Sequence, residues 1–271
     1  MEKNKTQLPI GVFDSGVGGL TVANALTRFL PNESIIYFGD TAHVPYGDKS
    51  ADAIRFYCLK IVKLLLEKNC KMIVIACNTA TATAYDVMQE FFAHQVPFIN
   101  VIDPLVEAVA TMNFQKIGII GTKATISSDA YARKLKAIAP HLNVRSLATP
   151  LLASMIEEGF FNNNISRTVI DNYLQNKELE NIDALLLACT HYPLIRTEIE
   201  NYYQGTVKIF DSTDLIAKAA QQMLTEKNLL NQSQEPPTHH FLVSDYTPAF
   251  EQTTRFFYQK ENIKLEYLPI W

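Results

Sequence analysis

Ile73-Val74-Ile75-Ala76-Cys77-Asn78-Thr79 and Leu185-Leu186-Leu187-Ala188-Cys189-Thr190-His191 are near-copies of each other, 112 residues apart. Each is a short apolar run followed by a small residue, a thiol, and a hydroxyl or amide. That pattern reads as a buried strand opening into a polar loop. Further apolar runs lie at 9–13, 34–38, 98–102, 117–120 and 207–210, and the two cysteine runs extend over 72–76 and 183–188. Helical stretches separate them, the longest near 50–68. Such alternation predicts an α/β fold with mostly parallel sheets. Ligands of these sheets sit beyond the C-terminal ends of the strands. The polar residues after Phe13, Phe38, Ala76, Ile120 and Ala188 all fall there.

The repeat is wider than the cysteines. Ile10-Gly11-Val12-Phe13-Asp14-Ser15 parallels Ile117-Gly118-Ile119-Ile120-Gly121-Thr122 at an offset of 107 residues, so one loop insertion accounts for the drift. We expect two similar α/β domains related by a pseudo-two-fold, with the active site in the cleft between them. Residues 1–100 and 208–271 form the first and 101–207 the second. The strand at 207–210 and a helix near 214–224 are expected to return to the first unit. Asn231-Gln232-Ser233-Gln234-Glu235-Pro236-Pro237 reads as an exposed loop.

Composition narrows the function. With 48% hydrophobic and 19% charged residues in 271, the chain is globular rather than disordered. Its net charge of −4 offers no basic footprint for nucleic acid. No segment has the apolar length of a membrane span. Met1-Glu2-Lys3-Asn4-Lys5-Thr6-Gln7 lacks an apolar signal region, so a cytoplasmic location is expected. The four cysteines, Cys58, Cys70, Cys77 and Cys189, are too scattered for a disulfide framework, and no C-x-x-C is present. Cys58, in a helical stretch, and Cys70, ahead of a strand, read as small packing residues.

Cys77 and Cys189 are different. Equivalent placement in two halves, each where a strand meets a following helix, suggests thiols facing one substrate from opposite sides. A thiol ionises near pH 8.5 and suits proton transfer at a weak carbon acid; a helix N-terminus or a nearby cation favours the thiolate. Asn78, Thr79 and Thr190 supply donors for a carboxylate, and His191 stands two residues from Cys189. The loop Asp14-Ser15-Gly16-Val17-Gly18-Gly19 follows a strand and opens a helix, where glycines permit close approach and amides favour an anion. It lacks the Lys-Ser/Thr of a phosphate-binding loop and the G-x-G-x-x-G spacing. In Gly39-Asp40-Thr41-Ala42-His43-Val44-Pro45-Tyr46-Gly47, Asp40 is placed to orient a ligand or serve as an auxiliary acid. Tyr46 and Gly47 offer backbone N–H groups, and His43 reads as structural.

A zinc site would have only Cys77, Cys189 and His191 as ligands and would leave the pairing unexplained. A Cys-His hydrolase would leave one thiol without a task. An actin-like ATP-dependent phosphotransferase, suggested by the Asp14-Ser15-Gly16 loop, leaves both thiols idle. A binding module that has lost catalysis is disfavoured by the survival of both.

These segments closely resemble bacterial glutamate racemases. The matching strings are GVFDSGVGGLTV from Gly11, YFGDTAHVPYG from Tyr37, IACNTATA from Ile75, GIIGTKATI from Gly118, IEEG from Ile156 and LACTHYPLI from Leu187. The resemblance implies a cofactor-independent enzyme that interconverts L- and D-glutamate for the cell wall. A racemase for aspartate or another acid is the near alternative. By that resemblance Cys77 deprotonates the D-enantiomer and Cys189 the L-enantiomer, with Asp14, Asp40, Glu157 and His191 assisting. Glu158, next to Glu157, is the other candidate for the acid. Substrate contacts are implied at Asp14, Ser15, Tyr46, Gly47, Asn78, Thr79, Thr122, Thr190 and His191, with Asp14 facing the ammonium. No cofactor and no metal are expected. The expected partners are the small substrate and a second copy of the chain in a homodimer, with neither nucleic acid nor membrane. Thr149-Pro150-Leu151-Leu152-Ala153-Ser154-Met155-Ile156-Glu157 departs from the family's usual C-P-x-F-V-P-L-V-E, so packing before Glu157 is expected to differ.

Overall fold

Ile10–Asp14 (β1) is buried along its whole length, which requires a strand covered on both faces. The computed structural model, which describes residues 4–259 and 263–271, supplies that cover. After β1 come α1 (Leu20–Phe29), β2 (Ile35–Gly39), α2 (Ala51–Glu67), β3 (Met72–Ile75), α3 (Asn78–Phe92) and β4 (Phe98–Asn100). Alternate residues of β1 divide between the faces. Ile10 and Val12 join the core that includes Leu20 and Leu26 of α1, whereas Phe13 joins Ile54 and Cys58 of α2 and Ala84 of α3.

The second unit runs α4 (Asp103–Ala110), β5 (Lys116–Gly121), α5 (Lys123–Ser127), α6 (Ala130–Ile138), β6 (Asn143–Ala148), α7 (Pro150–Glu157), α8 (Asn164–Leu174), β7 (Ala184–Ala188), α9 (Arg196–Tyr203) and β8 (Lys208–Phe210). The chain then returns through α10 (Thr213–Glu226), β9 (His239–Val243), α11 (Pro248–Tyr258) and β10 (Leu265–Tyr267). The first sheet has the order β10-β9-β2-β1-β3-β4 and the second β6-β5-β7-β8, and every pairing is parallel. The second sheet thus reproduces the β2-β1-β3-β4 core of the first. The two cysteine strands, β3 and β7, occupy equivalent places.

One expectation is corrected. Lys208–Phe210 does not return to the first unit; it pairs with β7 at the edge of the second sheet. The return begins with the following helix, where α10 packs on α1 and β4. The sheet needs β8 to complete the repeat, since β4 holds the same place beside β3. Three strands escaped the sequence reading: β6, β9 and β10. All lie toward sheet edges, and β6, Asn143-Val144-Arg145-Ser146-Leu147-Ala148, contains no fully buried residue. Among the described residues, no helix is long and apolar enough to cross a membrane.

Candidate active site

Register aligns the loops that matter. Phe13 pairs with Phe38 and with Ile75, so the loops leaving β1, β2 and β3 emerge side by side. In the second unit Gly121 pairs with Ala148 and Ala188, which aligns the exits of β5, β6 and β7. The two sets meet around one narrow pocket. Its wall contains Ser15, Tyr46, Gly47, Cys77, Asn78 and Thr79 from the first unit, and Thr122, Glu157, Cys189, Thr190 and His191 from the second.

Cys77 caps α3. Its Sγ accepts from the Ala80 amide at 3.4 Å and lies 3.6 Å from Ser15 Oγ. Burial pushes the thiol well up and the Asp14 carboxylate adds to that, while the Ala80 amide and Ser15 pull the other way. Asp14 does not line the pocket. Its Oδ2 accepts from the amides of Gly16 at 3.2 Å and Gly19 at 2.9 Å. The anion served by this helix start is therefore the loop's own aspartate, through Oδ2 alone, while Oδ1 is buried without a hydrogen-bond partner among the described residues. Burial raises its carboxyl above the usual range, opposed chiefly by the His191 charge.

Cys189 is supported differently. No α-helix follows it directly; a 3-10 turn at Tyr192–Ile195 intervenes before α9. The expected symmetry of strand–helix junctions, an α-helix directly after the thiol, therefore holds for Cys77 alone. A histidine takes the place of the helix. His191 Nδ1 is 3.6 Å from Cys189 Sγ, and Nε2 is 2.7 Å from Glu157 Oε1. Burial works against a charged imidazole here, but Cys189 and Glu157 outweigh it and hold His191 well above the ordinary histidine range. Burial likewise raises the Glu157 carboxyl, and the bond to His191 more than reverses this, leaving it below the usual range. Glu158, one residue on, is exposed, so the geometry brings Glu157 to the site.

The units are clasped at the pocket. Thr79, Thr122 and Thr125 form a triangle of hydroxyls at 2.8, 2.9 and 3.2 Å. Tyr131 of α6 donates to Asn78 Oδ1 at 2.6 Å, leaving Asn78 Nδ2 buried without a partner among the described residues. Thr21 of α1 donates to the Thr190 carbonyl at 3.2 Å. A Cβ on Gly18 would lie 2.3 Å from His191 Cε1, so glycine is needed there for room. From the returning segment, the Phe257 ring packs edge-on to His191 at 5.0 Å and Thr253 donates to the Glu157 carbonyl at 3.4 Å.

Asp40 is buried behind Tyr46, outside the pocket wall, and meets the wall through the Tyr46 phenol. Its carboxylate is taken up by Tyr46, Ser244, His43 and Trp271. Tyr46 stays a neutral donor because burial, above all, pushes its phenol far up. Cys58 and Cys70 are buried outside the pocket wall. Sequence reading missed Val44, Pro45, Ala153 and Ser154 of the wall. Ser154 lies one helical turn before Glu157 on α7, a spacing that would have found it. Tyr131 and Phe257 carry no local signal, whereas Gly18 lies in the loop whose glycines were read as permitting close approach. Among the residues of the wall there is no lysine or arginine, and His191 is the one group held as a cation.

A sequence profile described as Asp/Glu/Hydantoin racemase matches residues 21–220. The protein named glutamate racemase from Syntrophus aciditrophicus is 41% identical over 254 residues, 93% of each chain. Its counterpart in Chlorobaculum tepidum is 42% identical over 256 residues, 94% of each. The solved structure of glutamate racemase from Francisella tularensis subsp. tularensis SCHU S4, in complex with D-glutamate, superposes with a TM-score of 0.92. It is 40% identical and covers 98% of both chains.

Proposed function

The chain belongs to the glutamate racemases of the Asp/Glu/hydantoin racemase family, and from that premise we propose that it interconverts L- and D-glutamate by two-thiol proton transfer, without a cofactor. One observation carries the mechanism: Cys77 and Cys189, at equivalent strand ends of two repeated units, line one pocket. From L-glutamate, the Cys189 thiolate takes the α-proton and the Cys77 thiol gives its proton to the opposite face. The C–H bond to Cys189's side breaks, a new C–H bond forms on the Cys77 side, and the thiolate has moved from Cys189 to Cys77. D-glutamate runs the same steps in reverse.

The surroundings suit these roles. The His191 imidazolium stands beside the sulfur that must be anionic when the L-enantiomer is bound. Burial and Asp14 favour Cys77 as the thiol that donates. When Cys77 is the thiolate, the Ala80 amide and the N-terminus of α3 support its charge. Asn78 Nδ2, the Thr79 and Thr190 hydroxyls and the Tyr46–Gly47 backbone are the donors for the two carboxylates. Preorganised donors of this kind stabilise developing charge at the α-carbon most when water is excluded. In this reading the enzyme is a cytoplasmic homodimer that supplies D-glutamate for peptidoglycan.

The test is optical. Either enantiomer is incubated with protein treated with a chelator and freed of pyridoxal phosphate. Loss of optical rotation is expected. No loss, or loss only after pyridoxal phosphate is added, rejects the reading.

A further inference from the structure

Asp40 stands outside the pocket, yet one bond joins it to the wall. Its Oδ2 accepts from the Tyr46 phenol at 2.6 Å. Its Oδ1 accepts from Ser244 Oγ at 2.7 Å and from the indole Nε1 of Trp271 at 2.9 Å. His43 Nδ1 is 3.0 Å from both oxygens. A carboxylate is planar, so donors that fix Oδ1 also fix the direction in which Oδ2 is offered to Tyr46. Tyr46 is buried, and its neighbour Gly47 presses on Thr122 of the other unit, where a Cβ would lie 3.0 Å from the threonine Cβ. The loop therefore has little freedom once the phenol is anchored.

The indole is itself held. His43 meets its ring edge-on at 4.4 Å, Tyr57 of α2 does so at 5.1 Å, and the Lys60 ammonium lies 4.7 Å from the ring centroid. Cation–π contacts of this kind favour one ring placement. The residue is 39% exposed, so it is lodged at the surface with its N–H directed inward.

We propose that Trp271, the chain's single tryptophan, is a positioning residue for substrate: its indole N–H orients the Asp40 carboxylate, which anchors Tyr46 and thereby sets the Tyr46–Gly47 backbone that receives the ligand's side-chain carboxylate. This deepens the reading of the pocket as an acidic amino-acid site and rests on it. It also makes tryptophan emission a reporter of that pocket, since ligand on Tyr46 and Gly47 is relayed to the indole through a single carboxylate.

Trp271→Phe keeps an apolar ring among His43, Tyr57 and Lys60 and removes the N–H. Loss of part or all of one hydrogen bond acting through Asp40 is expected to raise KM for glutamate roughly 3–10-fold, with kcat retained. An unchanged KM, or a fall in kcat at constant KM, overturns the proposal. Should the variant fail to fold, the wild-type protein decides. Selectively excited tryptophan emission should change saturably as D-glutamate is added, and flat emission through saturation overturns the proposal. These results are separable from the activity itself. Wild-type turnover with an indifferent Trp271 removes only the positioning role, whereas absence of wild-type turnover removes the glutamate reading and this inference with it.

Discussion

Gly18→Ala tests whether the glycine loop exists to admit the second unit. Gly18 has no left-handed backbone to protect, since the positive-φ glycines among the described residues are Gly159 and Gly205. The demand is for space. The added Cβ would lie 2.3 Å from His191 Cε1, 2.5 Å from Nδ1 and 2.7 Å from Thr190 Oγ1. Carbon atoms pack best at about 3.5–4.0 Å, so something must move by about 1 Å. His191 has no free direction: Glu157 holds it at 2.7 Å, Cys189 is at 3.6 Å, and Phe257 lies against its ring. Overpacking of this kind costs about 1–3 kcal/mol, and Tm should fall by several degrees. A misplacement of about 1 Å near reacting groups costs roughly 10²-fold in rate. The expected result is therefore a loss of that order in kcat/KM. It is equal in both directions, because the enantiomers have an equilibrium constant of unity. Circular dichroism at a fixed wavelength follows racemisation, and a thermal melt follows stability. Wild-type kinetics with an unchanged Tm would show that the loop has slack and that His191 is not placed by Gly18.

Glu157→Gln should move the alkaline limb of the rate profile to lower pH, because His191 loses one of the two groups that keep it charged against burial. The pair stabilises the fold from above the depressed pKa of Glu157 up to the raised pKa of His191. The Tm deficit of the variant, about 1–3 kcal/mol in stability, should thus be greatest near neutrality and fade as pH falls through the carboxylate range; a constant deficit at all pH would refute this. Tyr131→Phe removes the bond that holds the Asn78 amide and should raise KM for glutamate about 2–10-fold and lower Tm by a few degrees, since one buried hydrogen bond is worth about 0.5–1.5 kcal/mol; an unchanged KM and Tm would refute this. Aspartate, one methylene shorter, should leave donors at Tyr46 and Gly47 unpaired, at about 1–3 kcal/mol each. Its kcat/KM in competition with glutamate should be lower by about tenfold or more, and near-equal values would refute the pocket assignment.

The repeat was legible because the strands at the centre of each sheet are apolar along nearly their whole length. β1, β3, β5 and β7 carry the similar segments and are buried between helices. β6 was not legible, since an edge strand with residues such as Asn143 and Arg145 lacks the apolar run that marks a strand. The placement of β8 was misread for a related reason: nothing in Lys208-Ile209-Phe210 says which sheet edge it will join. In the site, the residues that follow strands were readable one loop at a time, Glu157 at the end of α7 came only from the family resemblance, and eleven of the residues named in advance meet in the wall. Asp14 and Asp40, also named in advance, lie outside the wall, and a sequence does not show that their carboxylates bond Gly16 and Gly19, or Tyr46 and Ser244. Tyr131 and Phe257 reach their partners Asn78 and His191 only where the two units meet, and Trp271 reaches Asp40 only through the fold of the first unit.

The two-base chemistry is tested most directly by solvent isotope. Wild-type protein is given L-glutamate in D2O, the reaction is stopped at low conversion, and the separated enantiomers are analysed by mass spectrometry. If Cys189 removes the proton and Cys77 supplies another from the opposite face, the D-glutamate formed carries one α-deuterium and the recovered L-glutamate keeps its protium. The mirror experiment from D-glutamate gives the converse. Deuterium appearing in recovered L-glutamate as fast as in product, or protium carried over from L to D, would mean that one base serves both faces and would contradict the assignment of the two thiols.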